Sequence, residues 1–444
     1  MSELRAKTTE IPQSPRLDAR QRALLVLGAA AVAIVLSVVF RMVYISNQFS
    51  WMYDMKVFRE AGQRVLDGQT VYWQSGGSLF THTPFAALLC VPLVLPTLTV
   101  ISIVWNAITL FCLQALVWLS LRLSGVQSVW VRAGIAVGAA ALAFRFDPAA
   151  MDLLLGQQNT VFILLLIFDL VVLRGRRWQG LITGVLTGIY LVPGLFVLFL
   201  LITRRYRGVA MSLAGFLATA AVGFAALPAD SRLYWSGLFL NSKRVGALQN
   251  ARAQSIADVL ARFLHTGALG VTTPLLVIVC CAGGLFLARW LERTGRPFAA
   301  VLQLGLASIL ATPISWNHNY LWVVPALVPI AVVAARSGSA LLWVVVTVSG
   351  ADFLVAPYTL GIPIGKAVDL RLPVGQSLLA CTYAVNAVLL IAVLALTKST
   401  GEVGNRLCAP SPPNDLNSWN TQPESAGTVD SSVGKTDAVL PDLE

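Results

Sequence analysis

Apolar runs of roughly 20 residues, separated by short breaks that carry arginine or lysine, dominate the chain from Ala23 to Leu396. A run of that length matches the hydrocarbon core a helix must cross. Unpaired backbone amides are intolerable in lipid, so the runs are predicted to be helices and not open strands. The charges at the breaks set their direction, because short cytoplasmic loops carry the Lys and Arg excess. Arg16, Arg20 and Arg22 precede the first run, Ala23 to Tyr44, and predict a cytoplasmic segment over residues 1–22. That run is too long for a cleavable signal core and reads as a retained anchor.

Two stretches break the simple alternation. Pro84 to Pro96 is bracketed by prolines and too short to span. Treated as interfacial or re-entrant, it lets Leu98–Leu121 run inward to Arg122, Val131–Phe144 return outward, and Thr160–Leu173 run inward to Arg174, Arg176 and Arg177. Gly180 to Ile202 lies between that cluster and Arg204, Arg205 and Arg207, so both of its ends require the cytoplasm. Two half-length helices turning near Pro193 and Gly194 satisfy both, since proline removes a donor and breaks a helix.

The remaining runs alternate: Val209–Leu227 outward, Val271–Trp290 inward, Phe298–Pro313 outward, Leu321–Ala335 inward, Ala340–Val355 outward and Gln376–Leu396 inward to Lys398. The expected fold is therefore all-α and polytopic, with about 12 membrane helices including the half-length pair, in one membrane domain over residues 23–397. Residues 398–444 are rich in Ser, Pro, Asn and Asp and are expected to be a disordered cytoplasmic tail. The loop from Trp51 to Phe80 alternates charges with Met55, Val57, Phe58, Val65 and Leu66 at helical spacing, which predicts a helix lying on the outer membrane surface.

Composition agrees with this picture: 57% of residues are hydrophobic and 12% charged, against about 25% charged in soluble domains. The net charge of +11 comes from single residues and short clusters beside apolar runs, a membrane signature and not a nucleic-acid one. The six cysteines have neither disulfide nor CxxC spacing and read as small hydrophobes. There is no P-loop, dinucleotide fingerprint or defensible Ser-His-Asp spacing, and no motif for a metal or cofactor.

The topology gathers the unusual polar groups on the outer face: Asp54, His82 in FTHTPF, the GQQN stretch Gly156–Asn159, and SWNHNY at Ser315–Tyr320, joined by the loop carrying Gln254, Ser255 and Arg262. All three histidines, 82, 265 and 318, fall there. His318, between Asn317 and Asn319 with Trp316 and Trp322 beside it, reads either as a helix-end cap or as a base near neutral pH. Asp54 reads either as the cap of the helix to Leu66 or as a carboxylate whose pKa is raised in a partly dehydrated cleft. Gln157 and Asn159 suit a polyhydroxylated ligand, but such amides also join helices.

In order, YDMKVF at Tyr53–Phe58, LDGQTVY at Leu66–Tyr72, THTPFAALLCVPL at Thr81–Leu93, GQQN, the GLITG hairpin and PISWNHNYLW resemble the GT-C superfamily of polyprenol-phosphate-sugar-dependent glycosyltransferases. Within it the chain is most similar to the actinobacterial α-mannosyltransferases of phosphatidylinositol mannosides and lipomannan, over roughly Ala23 to Leu396. The resemblance implies the GT-C fold in the plasma membrane and extracytoplasmic transfer with inversion. The donor would be a β-linked polyprenyl-phosphate sugar and the acceptor a lipid-anchored glycan, giving an α-linkage, expected to be 1→2, among membrane lipids and without a cofactor.

The resemblance implies that the essential acid of the first outer loop is Asp54, and the WxHH-like segment is matched by Trp316, Asn317, His318 and Asn319. Asp54 and His318 are thus the expected catalytic pair. Lys56, His82, Gln157, Asn159, Gln254, Ser255, Arg262, Trp316, Asn317 and Asn319 are the expected substrate contacts. Two departures stand out. Many relatives carry a Lys where this chain has Tyr190, which leaves Arg262, Lys243, Arg252 and Lys56 as unranked candidates for the donor phosphate. Ala253 also replaces the Asn of the relatives' NQS. A decaprenyl-phosphate arabinofuranosyltransferase and a lipid or sugar transporter are the alternatives; discontinuous helices favour the latter, and missing internal repeats count against it.

Overall fold

The computed structural model describes residues 18–43, 51–73, 79–241, 244, 250–266, 269–362 and 372–397. The predicted tail, most of the N-terminal segment, Lys243 and Cys408 lie outside the described residues. The described chain is all helical, with one isolated antiparallel bridge between Ala253 and Trp316. Its helices are α1 (Ala19–Val43), α2 (Tyr53–Leu66), α3 (Pro84–Cys90), α4 (Leu98–Leu123), α5 (Val129–Leu142), α6 (Asp147–Leu155), α7 (Asn159–Ile167), α8 (Leu181–Ile189), α9 (Gly194–Ile202) and α10 (Tyr206–Ala226). They continue with α11 (Pro228–Trp235), α12 (Ile256–Phe263), α13 (Thr272–Arg293), α14 (Pro297–Ala311), α15 (Val323–Ser337), α16 (Ala340–Val355), α17 (Val374–Leu379) and α18 (Thr382–Leu396).

Six of the described segments are long and apolar enough to cross a membrane, or seven if the bent pair α5 and α6 is one span. Four shorter apolar segments, led by α3, α7, α14 and α18, complete the bundle with the half-length pair α8 and α9. Large apolar side chains of α1, α10, α13 and α16 face outward, as lipid-facing helices require. Helix α14, by contrast, is buried all round and forms the centre of the core.

The starts of several helices follow from local chemistry. Thr83, Thr97 and Ser128 cap α3, α4 and α5 by accepting from backbone amides one turn on, and Pro84 occupies the first position of α3, where its missing N–H goes unmissed. Pro84 to Pro96 is thus a single short helix with a 3₁₀ extension, packed against the surface helix α2.

Helices α8 and α9 are a true hairpin. Gly180, before α8, and Leu200, near the end of α9, both contact Gly208 at the start of α10. The turn over residues 190–193 includes Pro193, as its lack of a donor predicts. Helix α8 lies directly on α10 because Gly184 and Gly188 present no side chain to it. A Cβ at Gly184 would come within 2.0 Å of the Ser212 carbonyl oxygen, and one at Gly188 within 1.8 Å of Thr219 Oγ1. This is the small-residue spacing by which membrane helices approach closely.

One end of the bundle collects a cluster of arginines. Arg174, after α7, and Arg205, before α10, both pair with Glu292 at the end of α13, and Arg289 donates to the Ile202 carbonyl. Arg336 Nη2 reaches the Gly125 carbonyl at 2.7 Å, and Arg296 Nη1 the Ala395 carbonyl at 2.9 Å. Guanidinium groups at helix C-termini satisfy carbonyls that have no intrahelical partner. The predicted polar groups lie at the other ends of these helices: Gln157 precedes α7, and His318 lies in the 3₁₀ turn Asn317–Trp322 that opens α15.

Candidate active site

Helix α6, which the charge pattern did not reveal, is the piece that assembles the site. Asp147 and Pro148 start it, with the proline in the first turn, where its missing N–H has no intrahelical partner to lose. It is bent 67° from α5. Its C-terminal residue is followed by Gly156 in the left-handed conformation, φ 77°. A Cβ there would lie 2.8 Å from both Met52 Sδ and Met55 Cβ, so only glycine lets α6 meet α2 this closely. The Met52 amide donates to the Leu154 carbonyl at 2.7 Å and completes the junction.

That junction sets Gln157 against Asp54. Gln157 Nε2 donates to Asp54 Oδ2 at 2.7 Å, while the Trp105 indole holds the Gln157 carbonyl at 3.0 Å. Asp54 stands in the first turn of α2 and does not cap it; the residue before the helix is Met52, and no side chain caps that end. Burial raises the Asp54 carboxyl to about 6, with the Gln157 amide acting in the opposite direction. Lys56, two residues along, is exposed.

The next residue of GQQN reaches His82. Gln158 Nε2 lies 2.8 Å from His82 Nε2, so donation by the amide places the ring proton on Nδ1. Burial lowers the His82 pKa to about 4, which keeps the ring neutral. Its faces meet Phe58 at 5.2 Å, Phe80 at 5.7 Å and Tyr190 at 5.1 Å. Thr83 Oγ1 donates to the Gly188 carbonyl and fixes this loop to the hairpin. The position expected to carry a lysine in relatives is thus an aromatic wall against His82.

The other end of α6 holds SWNHNY. Asn317 Nδ2 donates to Asp147 Oδ2 at 2.9 Å, and the Tyr358 and Tyr383 hydroxyls donate to the same carboxylate at 3.0 and 2.9 Å. His318 follows, buried, with Nδ1 lacking a partner among the described residues. No side chain caps either the 3₁₀ turn or α15, so the helix-cap role for His318 is not what the structure displays. Trp316 and Asn319 flank it, each half-buried.

Several expected substrate contacts face the protein. Asn159 Nδ2 donates to Asp152 Oδ1 at 2.9 Å, and Thr160 Oγ1 holds the other oxygen of that fully buried carboxylate. The Gln254 amide donates to the Ser315 carbonyl at 2.7 Å, and its side-chain Oε1 accepts from the Tyr383 amide at 3.0 Å. Ser255 and Asp258 form a capping box on α12. Arg262, 2% exposed, donates to the carbonyls of Ala380, Asn250 and Ala253, clasping the loop to the start of α18. His265 is exposed beyond α12.

The structure therefore joins Asp54, Gln157 and His82 at one end of α6 and Asn317 and His318 at the other. Asp147, Tyr358 and Tyr383 are the members that sequence reasoning missed, and Gln158 was marked only as part of GQQN. Of those missed, only Asp147 carried a local signal, the Asp-Pro helix start.

A family model, Glycosyltransferase family 87, matches residues 80–313, more than half of the chain. The polyprenol-phosphate-mannose-dependent alpha-(1-2)-phosphatidylinositol pentamannoside mannosyltransferase of Mycobacterium tuberculosis (strain CDC 1551 / Oshkosh) is 29% identical over 294 residues, which cover 62% of this chain and 65% of that relative. The protein of the same description from Mycolicibacterium smegmatis is 30% identical over 288 residues, covering 62% and 68%. The corresponding phosphatidylinositol mannoside mannosyltransferase of Mycobacterium tuberculosis (strain ATCC 25618 / H37Rv) is 29% identical over 307 residues, covering 64% and 71%. No solved structure matches the chain. With more than half of its length matched and the all-α membrane architecture in place, the chain belongs to glycosyltransferase family 87.

Proposed function

We propose that this protein transfers mannose from a polyprenyl-phosphate-mannose donor to a lipid-anchored mannoside, a phosphatidylinositol mannoside or lipomannan, forming an α-(1→2) linkage with inversion on the extracytoplasmic face of the plasma membrane. Family membership and the names of the relatives support the reaction. The observation that carries it is the bridging role of α6, whose two ends hold the Asp54–Gln157 pair and the Asn317–His318 segment. Both lie away from the arginine-rich helix ends, which the positive-inside rule assigns to the cytoplasm.

In this reading an acceptor hydroxyl oxygen bonds to the anomeric carbon as the bond from that carbon to the phosphate oxygen breaks. The polyprenyl phosphate leaves with the electron pair. Asp54 takes the hydroxyl proton: one of its oxygens is held by Gln157, and the raised pKa makes it a stronger base than an ordinary carboxylate. In this reading His318, at the other end of α6, contacts the donor. His82 stays neutral and positions Gln158.

The test is transfer from radiolabelled polyprenyl-phosphate mannose to phosphatidylinositol mannosides by protein in lipid nanodiscs. Wild type is expected to transfer, and Asp54→Asn and His318→Ala to lose transfer while remaining folded. Transfer from decaprenyl-phosphate arabinose alone, or vesicle transport without transfer, overturns the reading.

A further inference from the structure

The cations named as phosphate candidates separate sharply in the structure. Arg262 is buried and committed to three backbone carbonyls. Lys56 is exposed on α2, and Lys243 lies outside the described residues. Arg252 stands apart from them. The bridge between Ala253 and Trp316, extended by the Gln254 amide bonding the Ser315 carbonyl, sets the register of the two segments. In an antiparallel pair one step forward on one strand is one step back on the other, so Arg252 stands opposite Asn317, next to His318.

Around Arg252 the hydrogen bonding is incomplete. It is half-buried, its Nε is buried without a hydrogen-bond partner, and among the described residues it belongs to no ion pair. Its guanidinium is near enough to act electrostatically on Asp147, His318 and Tyr358. The Asp147 carboxylate makes its hydrogen bonds to the neutral donors Asn317, Tyr358 and Tyr383 and forms no ion pair with the guanidinium. A guanidinium with a buried, unpartnered N–H is suited to a hydrogen-bonded anion, and its planar fork fits two oxygens of one phosphate.

We propose that Arg252 is the phosphate-binding cation of this centre, gripping the phosphate of a lipid-linked sugar substrate beside His318. This rests on the transferase reading above. Two lipids could supply the phosphate: the polyprenyl-phosphate donor and the phosphatidylinositol of the acceptor. Tyr190 packs against His82 and offers no cation at the hairpin turn.

The experiment measures binding to the full chain in nanodiscs for wild type, Arg252→Lys and Arg252→Met. The probes are polyprenyl phosphate without sugar, unphosphorylated polyprenol, and a phosphatidylinositol mannoside. Arg252→Met is expected to bind one of the phosphate lipids at least tenfold more weakly and polyprenol as wild type does. Arg252→Lys, keeping charge but not the fork, should fall between, which also guards against misfolding of the Met variant. Loss confined to polyprenyl phosphate assigns the donor, and loss confined to the mannoside assigns the acceptor; either supports Arg252. Equal affinities of wild type and Arg252→Met for both phosphate lipids overturn the inference, even if mannose transfer is intact. A wild type that transfers no mannose, yet binds a phosphate lipid through Arg252, overturns the reaction and leaves the inference standing.

Discussion

Gln157 donates its side-chain amide to Asp54 across a gap of 103 residues in sequence, and α6 is what brings the two together. The bond favours the charged carboxylate while burial opposes it, leaving the group at about 6. If Asp54 is the base, only its deprotonated form works, so kcat/KM should climb as pH rises through about 6. Replacing Gln157 with Leu removes the influence that favours the charged form, and the acidic limb should move to higher pH. Asp54→Asn should lower the rate at least about a hundredfold, the usual scale of general-base catalysis. An acidic limb that stays in place in Gln157→Leu removes Asp54 as its source.

Gly156 is the hinge of this arrangement. Alanine there must adopt a left-handed backbone, costing about 1–2 kcal/mol, and its Cβ would press on Met52 and Met55. Gly156→Ala is expected to lower the melting temperature in detergent and to weaken transfer more than stability alone accounts for, because α2 and Asp54 are pushed off Gln157. Transfer and melting like those of wild type would show that the α2–α6 contact does not govern the site.

At the other end of α6, Asp147→Ala would leave Asn317 Nδ2 and the hydroxyls of Tyr358 and Tyr383 without their shared acceptor. Asn317 Nδ2 keeps the Tyr358 hydroxyl as an acceptor at 2.9 Å, and each of the two orphaned hydroxyl donors costs about 1–3 kcal/mol. The variant should melt well below wild type, and Tyr383→Phe, which removes one donor, only slightly below. A Tyr383→Phe loss as large as that of Asp147→Ala contradicts the shared-acceptor account.

Sidedness is tested by thiol labelling. Lys56 and Arg176 are both exposed, near the site and near the arginine-rich end respectively. In intact cells, an impermeant maleimide should modify Lys56→Cys and spare Arg176→Cys until the membrane is permeabilised. The reverse pattern inverts the topology and moves the chemistry to the cytoplasm.

The elements legible in the sequence were those whose cause is local. Charge parity and two bracketing prolines marked Pro84–Pro96 as non-spanning, and Pro193 with basic flanks marked the hairpin, because charge placement and a missing amide act within a few residues. Helix α6 was not legible: at nine residues inside an apolar stretch it has no periodicity to read. Nor was the direction in which each polar side chain would turn. Gln157 and Asn159 sit two positions apart, yet one reaches Asp54 and the other Asp152. Arg262 looked like a phosphate ligand until three carbonyls, from segments up to 118 residues away, proved to occupy it.

The hairpin has a consequence for how the chain is made. Both its flanks stay on the side of the arginine-rich end, so no part of α8 and α9 needs a soluble segment carried across the bilayer on its behalf. The glycines of α8 find their surface only on α10, which leaves the ribosome later. The half-helices must therefore wait, shielded by the insertion machinery or by neighbouring chain, until α10 is in place. The wall of Tyr190 against His82 thus settles only after α10, and the Asp147 cluster, which needs Asn317, Tyr358 and Tyr383, later still.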